Sequence, residues 1–396
     1  MQTYVMAGNS TKTLESGLSV LRRPEGYLAA GYPRFMGLFA RDALISSMEL
    51  MHYDPSVARG TLLELARLQG RRFVKSTNEE PGKIIHEYND PAYISREWFW
   101  IFRRYRPWLK LGVPSYYSVD STPLFIITAS EYYRHHNDPK FIRGIWGNID
   151  RASSWIAEHV MKGGLLSYKR IDDRCGLASQ SWKDGPRNSF EGLRGNVAVV
   201  EAQGYAYSAL KAAAELGDEI GMQLRVDTES AAEAVKESYN SLFWDRGAES
   251  AVAVANGKAM KQMSSNVGHL LFTGILDRVQ ESQVIDHLFS RSMYTAYGIR
   301  TESSDSNGFD EKSYQNGSVW PHDNWLIAKG LKSSRAHLYR KIRDAIMKAY
   351  AEKGTIPEFY GVSGSGKLIP DWRMSVPPCN PQAWSSGAVI SFIIER

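Results

Sequence analysis

Carboxylates gather in this sequence in stretches where regular structure is hard to write. Asp42 follows Arg41 inside PRFMGLFARDALI, Glu87 sits in PGKIIHEY, and Asp184 stands in SQSWKDG directly behind Trp182 and Lys183. Glu358 lies between Pro357 and Phe359 in TIPEFYG, and Glu201 and Gln203 stand earlier, in VAVVEAQGYAY. Trp320 and His322 belong to YQNGSVWPHDNW, and Trp384 to NPQAW. Acidic groups set among tryptophans suit acid–base chemistry on a sugar. One protonated carboxyl donates to the leaving oxygen, a second ionised one activates water or attacks, and aromatic rings pack on the C–H faces of the ring. Trp182 can desolvate Asp184 and favour its protonated form, whereas Lys183 opposes this if it points inward. On physical grounds alone, a solvent-facing loop carboxylate is at least as good a reading of Asp184 and of Glu358.

Other chemistries find less support. The 396-residue chain is 43% hydrophobic and 23% charged with a net charge of +5, the composition of an ordinary globular protein. No apolar run approaches the roughly 18 residues of a membrane span, and the N-terminus lacks the charged and apolar regions of a secretory signal. Two cysteines, Cys175 and Cys379, give neither a disulfide framework nor a metal-ligand spacing, so a reducing cytoplasm is expected. Short basic clusters such as Arg103-Arg104-Tyr105-Arg106 read as solvated faces or ion-pair partners, and no nucleic-acid reader motif accompanies them. The adjacent His322 and Asp323 do not form a chelate by themselves, so neither a metal nor a cofactor is expected. GVSGSGK at 361–367 lacks the register of a phosphate loop and precedes no helix. The 11 Trp and 21 Tyr concentrate in segments rich in Gly, Pro and Asn, where they line a carbohydrate site or plug loop cores.

The elements that must position these residues are mostly helices of two kinds. Segments 55–69, 139–161, 228–243, 282–291 and 336–352 are amphipathic; in the last, Leu338, Tyr339, Ile342, Ala345, Ile346, Ala349 and Tyr350 recur at helical spacing. Segments 42–51, 122–133, 197–214, 264–276, 325–331 and 383–394 are apolar or small nearly all round, which marks helices buried on most sides. The two kinds alternate along the chain. With 16–23 pairing against the last buried helix, they predict an all-α (α/α)6 toroid, six inner and six outer helices, as one domain over 1–396. Inner-to-outer connections are short, while outer-to-inner ones are long, at roughly 70–121, 162–196, 292–317 and 353–382. The long loops emerge on one face, at the N-termini of the inner helices, and carry the polar residues named above.

Eight segments in consistent order resemble the catalytic domain of the amylo-α-1,6-glucosidase (glycogen-debranching) family and its inverting (α/α)6 relatives. They are GYPRFMGLFARD, PGKIIHEY, YYSVDSTPLF, SQSWKDG, VAVVEAQGYAYSAL, SYQNGSVWPHDNWLIAKGL, IPEFYG and NPQAWSSGA. The resemblance implies Asp184 as general acid and Glu358 as general base. It implies that Arg41 and Asp42 grip hydroxyls of the terminal sugar, with Glu87, Trp182, Lys183, Glu201, Gln203, Trp320, His322 and Trp384 forming further subsite wall. The family's Trp-Gly-Arg-Asp run is here Leu-Phe-Ala-Arg-Asp, and its Asn-Gln-Gly-Trp-Lys-Asp-Ser is Ser-Gln-Ser-Trp-Lys-Asp-Gly. The β-rich domain that usually precedes the barrel is not expected, which favours an α-linked glucoside or small oligosaccharide over glycogen. Two other readings stand beside hydrolysis: a sugar epimerase or isomerase using His86, His269 or His322, and a carbohydrate-binding barrel without catalysis.

Overall fold

A computed structural model describes residues 2–95, 99, 100, 103, 106–172, 174–185, 190, 192–244 and 250–395. Arg104 and Tyr105 of the basic cluster lie outside the described residues. Five outer helices follow the amphipathic segments: α3 (Pro55–Leu68), α5 (Pro139–Gly163), α7 (Thr228–Leu242), α8 (Arg278–Leu288) and α10 (Ala336–Lys353). Four begin with an aspartate whose side chain accepts a backbone N–H of the first turn: Asp54, Asp138, Asp227 and Asp277. Such caps satisfy donors that a helix start leaves open. Asp277 forms a reciprocal box with Gln280, so α8 starts four residues before the expected 282.

The buried helices are α2 (Ala40–Glu49), α4 (Ser121–His136), α6 (Val200–Ile220), a 3₁₀ helix over Ser265–Phe272, α9 (Pro321–Leu331) and α11 (Ala383–Ile394). Each packs on the next in that order, and α11 returns to α2, which closes a six-membered ring. Outer helices sit against neighbouring members: α3 against α2 and α4, α5 against α4 and α6, α10 against α9 and α11. The helix α1 (Gln2–Leu21) packs on α11, the place expected for segment 16–23.

Three details differ from expectation. The all-α description is too simple, because a four-stranded antiparallel sheet covers part of the loop face. Its strands run in the order β1 (Tyr168–Lys169), β2 (Asn196–Val199), β3 (Ala251–Ala255) and β4 (Lys258–Lys261). The run Val197-Ala198-Val199 therefore pairs as a strand, and the helix starts only at Val200. Segment 264–276 winds as 3₁₀ rather than α over Ser265–Phe272, since Ser, Asn, Val, Gly and His give it little α propensity. Finally, α9 begins at Pro321, where the fixed φ of proline suits the first helical position, and this places His322, Asp323 and Asn324 in its first turn. Among the described residues, no helix is long and apolar enough to cross a membrane.

The layers are closely fitted at one glycine pair. A Cβ on Gly60 of α3 would stand 2.6 Å from the carbonyl carbon of Gly26 and 2.7 Å from the Glu25 oxygen. Alanine normally stabilises a helix interior relative to glycine, by about 1 kcal/mol. Here the backbone cannot yield, so Gly60→Ala should cost a net of about 1–3 kcal/mol in urea denaturation. A stabilised variant would show that the Gly26 turn moves freely.

Candidate active site

None of the five inner α-helices carries a side-chain cap, in contrast to the aspartate-capped outer ones. Their first turns carry instead the residues singled out by the sequence: Arg41 and Asp42 on α2, Glu201 on α6, His322 on α9 and Trp384 on α11. Helix N-termini favour negative charge, which helps hold Asp42, Glu201 and Asp323 in place. A cavity of about 530 Å3 opens at this end of the ring. Arg34, Arg41, Asp42, Arg106, Trp182, Asp184, Tyr314, Gln315, Trp320, Glu358 and Trp384 are among its walls.

Arg41 ties two acids together. One guanidinium nitrogen donates to Asp120 Oδ2 and another to Asp184 Oδ2, each at 2.8 Å. Asp120 is fully buried and accepts a further bond from Ser118 Oγ at 2.6 Å, so it anchors the arginine from behind. Burial raises the Asp184 carboxyl above its ordinary value, with Arg41 and Arg106 pulling against that rise. Asp42 is pushed up to about 8, chiefly by burial, with Arg41 opposing and the charges of Asp184 and Glu358 adding to the rise.

Glu358 has a different setting. Tyr314 donates to its Oε1 at 2.6 Å, the backbone N–H of Cys379 donates to Oε2 at 2.9 Å, and Arg34 reaches Oε2 at 3.1 Å. Burial still raises this carboxyl, but every one of these donors favours its ionised form. The neighbour of Tyr314 secures the opposite wall. Gln315 donates from Nε2 to the Trp182 carbonyl at 2.7 Å and accepts from the Gly185 N–H at 2.9 Å, bracketing Asp184.

Five expected site residues are not among the cavity walls. Lys183 turns away, and its ammonium donates to Ser264 Oγ at 2.7 Å and to the Thr301 carbonyl at 2.8 Å. Its position removes the inward charge that would have opposed a protonated Asp184. Gln203 is built into the scaffold: its amide donates to the carbonyls of Leu166 and Val199 and accepts from the Leu166 N–H. Glu201 is fully buried deeper in the ring. Glu87 lies behind the wall, held by Asn89 at 2.7 Å and Arg106 at 3.2 Å. His322 stacks flat on Trp384, with ring centroids 3.7 Å apart, and braces that indole from below.

None of His86, His269 and His322 is among the lining residues. Burial holds His86 and His322 well below the ordinary histidine value. His269 is tied between Tyr205 and Asp323 at 2.7 Å on both sides and lies beneath Trp182. Among the described residues, no group of three or more His, Cys, Asp or Glu side chains is placed to hold a metal ion.

Sequence reasoning assigns no role at the site to Arg34, Arg106, Asp120, Tyr314 or Gln315. Arg106 carries only the signal of a basic cluster, which has no single reading until the fold sets the side chain against Glu87. Tyr314 and Gln315 did stand in a segment that had been singled out, immediately before Trp320, but nothing in one dimension shows what their side chains reach.

A closed helix ring whose loop face holds acids among indoles has the form of a glycoside hydrolase. A family model for the mannosylglycerate hydrolase MGH1-like glycoside hydrolase domain matches residues 37–367, and the chain belongs to that family. No curated protein gives a significant match. Among solved structures, the chain is similar to the GH63 mannosylglycerate hydrolase from Thermus thermophilus in complex with Tris and D-glycerate. The two share 13% identity over 98% of this chain and 100% of that one, with a TM-score of 0.75. The complex of that hydrolase with glucose matches at the same identity and coverage with a TM-score of 0.73. Identity this low speaks to the fold, and the enzyme class rests on the family. The debranching-type resemblance thus gives way to a more specific placement among glycoside hydrolases.

Proposed function

We propose that the chain hydrolyses a small α-linked hexoside from its non-reducing end with inversion, Asp184 acting as general acid and Glu358 as general base. The observation that carries this reading is the unequal setting of two carboxyls on one cavity. Glu358 accepts from a phenol, a backbone N–H and a guanidinium, which suits an ionised group that takes a proton from water. Asp184 is raised by burial and is held by Arg41, which suits a group that must carry a proton and be aimed at the leaving oxygen. Arg41 and Asp42 grip hydroxyls of the sugar, and Trp182, Trp320 and Trp384 pack on its faces. The absence of a histidine from the described lining favours hydrolysis over an epimerase.

The aglycone is a small acid. Arg34 and Arg106, which hold Glu358 and Glu87, both line the cavity, so two guanidinium groups stand where a substrate carboxylate would meet them. The family is described by mannosylglycerate hydrolase, and the solved neighbour was crystallised with D-glycerate. An α-hexosylglycerate fits these arginines better than the neutral α-glucoside or oligosaccharide suggested by the debranching-type resemblance.

Proton NMR of the reaction on α-mannosylglycerate, α-glucosylglycerate and a neutral α-glucosyl disaccharide tests each part. The β-anomer of the free sugar should appear first, and a glycerate conjugate should be turned over fastest. First appearance of the α-anomer would remove inversion, and faster turnover of the disaccharide would remove the acidic aglycone.

A further inference from the structure

A second cluster of oxygen atoms lies on the same face, behind the loop that carries Asp184. Residues 262–264 and 302–303 run antiparallel, joined by a bridge between Ser264 and Glu302 and by the Ser303 N–H donating to the Met263 carbonyl. A separate cavity of about 520 Å3 opens beside this pair, with Gln262, Glu302, Asp305, Ser306, Asn307 and Asn316 in its wall. Glu302 is only 1% exposed, yet no hydrogen bond closes on either of its carboxylate oxygens, and Gln262 Oε1 is buried in the same condition. Burial raises the Glu302 carboxyl above its ordinary value, opposed by the charge of Lys183 and by the nearby Gln262 amide and Ser306 hydroxyl, and none of these groups closes a hydrogen bond on it. A buried carboxylate left in this way is strongly unfavourable unless something positive meets it. Lys261, the one cationic residue in the described lining, stands at the exposed rim. The neighbouring Lys183 ammonium lies outside that lining and donates to Ser264 and Thr301, so it offsets the Glu302 charge only in part.

We propose that this cavity is a binding site for a divalent cation of the calcium class, with Glu302 as its central ligand and Asp305 and Gln262 beside it. The polar donors of Glu302, Asp305, Gln262, Ser306 and the two asparagines are hard oxygens from carboxylate, amide or hydroxyl, the set that suits calcium, and the thioethers of Met260 and Met263 in the same wall are weak ligands for such an ion. The backbone allows close approach, since a Cβ on Gly308 would stand 3.3 Å from Glu302 Oε1. Two carboxylates balance the charge of one divalent ion, and water completes the shell on the open side.

The site lies on the segment that organises the catalytic face. Lys183 anchors next to Glu302 through Ser264 and Thr301, and the same stretch of chain runs on to Tyr314 and Gln315. A bound cation therefore fixes residues 302–316 and, through them, the bracket around Asp184.

The experiment uses the full chain, stripped with EDTA and desalted, with terbium(III) as luminescent probe and calcium as competitor. Saturable terbium binding reversed by millimolar calcium is expected, together with a rise of several degrees in thermal midpoint on adding calcium alone. Glu302→Gln should weaken terbium binding by about 10- to 100-fold and abolish the thermal rise. Asp305→Asn removes an exposed ligand and keeps the test sound if the buried substitution impairs folding. Unsaturable binding, or binding and a thermal rise that both variants retain, would overturn the proposal. These readouts are independent of turnover, so their failure would leave the roles of Asp184 and Glu358 untouched.

Discussion

Asp184→Asn should lower kcat on the natural glycoside by about 10³- to 10⁴-fold, with KM moving far less, and Glu358→Gln should cost a similar factor. Both replacements keep the shape and much of the hydrogen bonding while removing the transferable proton or the proton acceptor. The roles are separated by the leaving group. An activated aryl glycoside needs little protonation at the departing oxygen, so it should restore much of the rate in Asp184→Asn and little in Glu358→Gln. Restoration in the second variant alone would mean that the acid and base are exchanged. Near-native kcat in either would remove that residue from the mechanism. The thermal midpoint must be read alongside, because Asp184 also receives Arg41 at 2.8 Å.

The second large effect concerns stability. Asp42→Asn should make the protein more stable at pH 8 while changing little near pH 4. Asp42 has a folded-state value of about 8, raised first by burial, against 3.8 when unfolded. A carboxyl raised in this way holds its proton in the folded state after the unfolded chain has released it. Stability is therefore greatest below the unfolded value and declines as pH climbs toward 8. A gap of this size corresponds to on the order of 5 kcal/mol, at about 1.4 kcal/mol per pH unit. Asparagine cannot ionise, so the variant escapes that decline and should show a midpoint several degrees higher at pH 8 in differential scanning calorimetry. A variant that declines with pH as steeply as the parent would show that Asp42 is not the group responsible. A stabilised variant with poor turnover would identify Asp42 as a residue kept for substrate at the expense of the fold.

Much of the ring was legible in advance because burial leaves a periodic mark. Leu338, Ile342, Ala345 and Ile346 repeat at helical spacing, and α10 spans Ala336–Lys353 against an expected 336–352. The all-round apolar Ala383–Ile394 could only be an inner helix, and it is one. Segment 264–276 was placed in the right layer with the wrong helical geometry. Hydrophobic pattern reports burial, while the choice between α and 3₁₀ turns on small differences in propensity and packing. Residues 251–261 carry no helical pattern, and they form a hairpin whose first strand pairs with Val197–Val199.

For the site, sequence alone determined which residue types gather on the loop face and near the starts of the inner helices. That follows from local pattern: the length of the loops and acids among tryptophans. Orientation was decided only by tertiary structure. Lys183 and Asp184 are neighbours in the chain, yet one ammonium is bound into the scaffold by Ser264 and Thr301 while the adjoining carboxyl faces the cavity. Arg41 meets Asp120 and Asp184, which lie 79 and 143 positions away, and Tyr314 meets Glu358 across 44. Contacts at such separations exist only once the ring has closed, because side-chain partners across a cavity are fixed by how helices pack and not by the order of residues along any one of them.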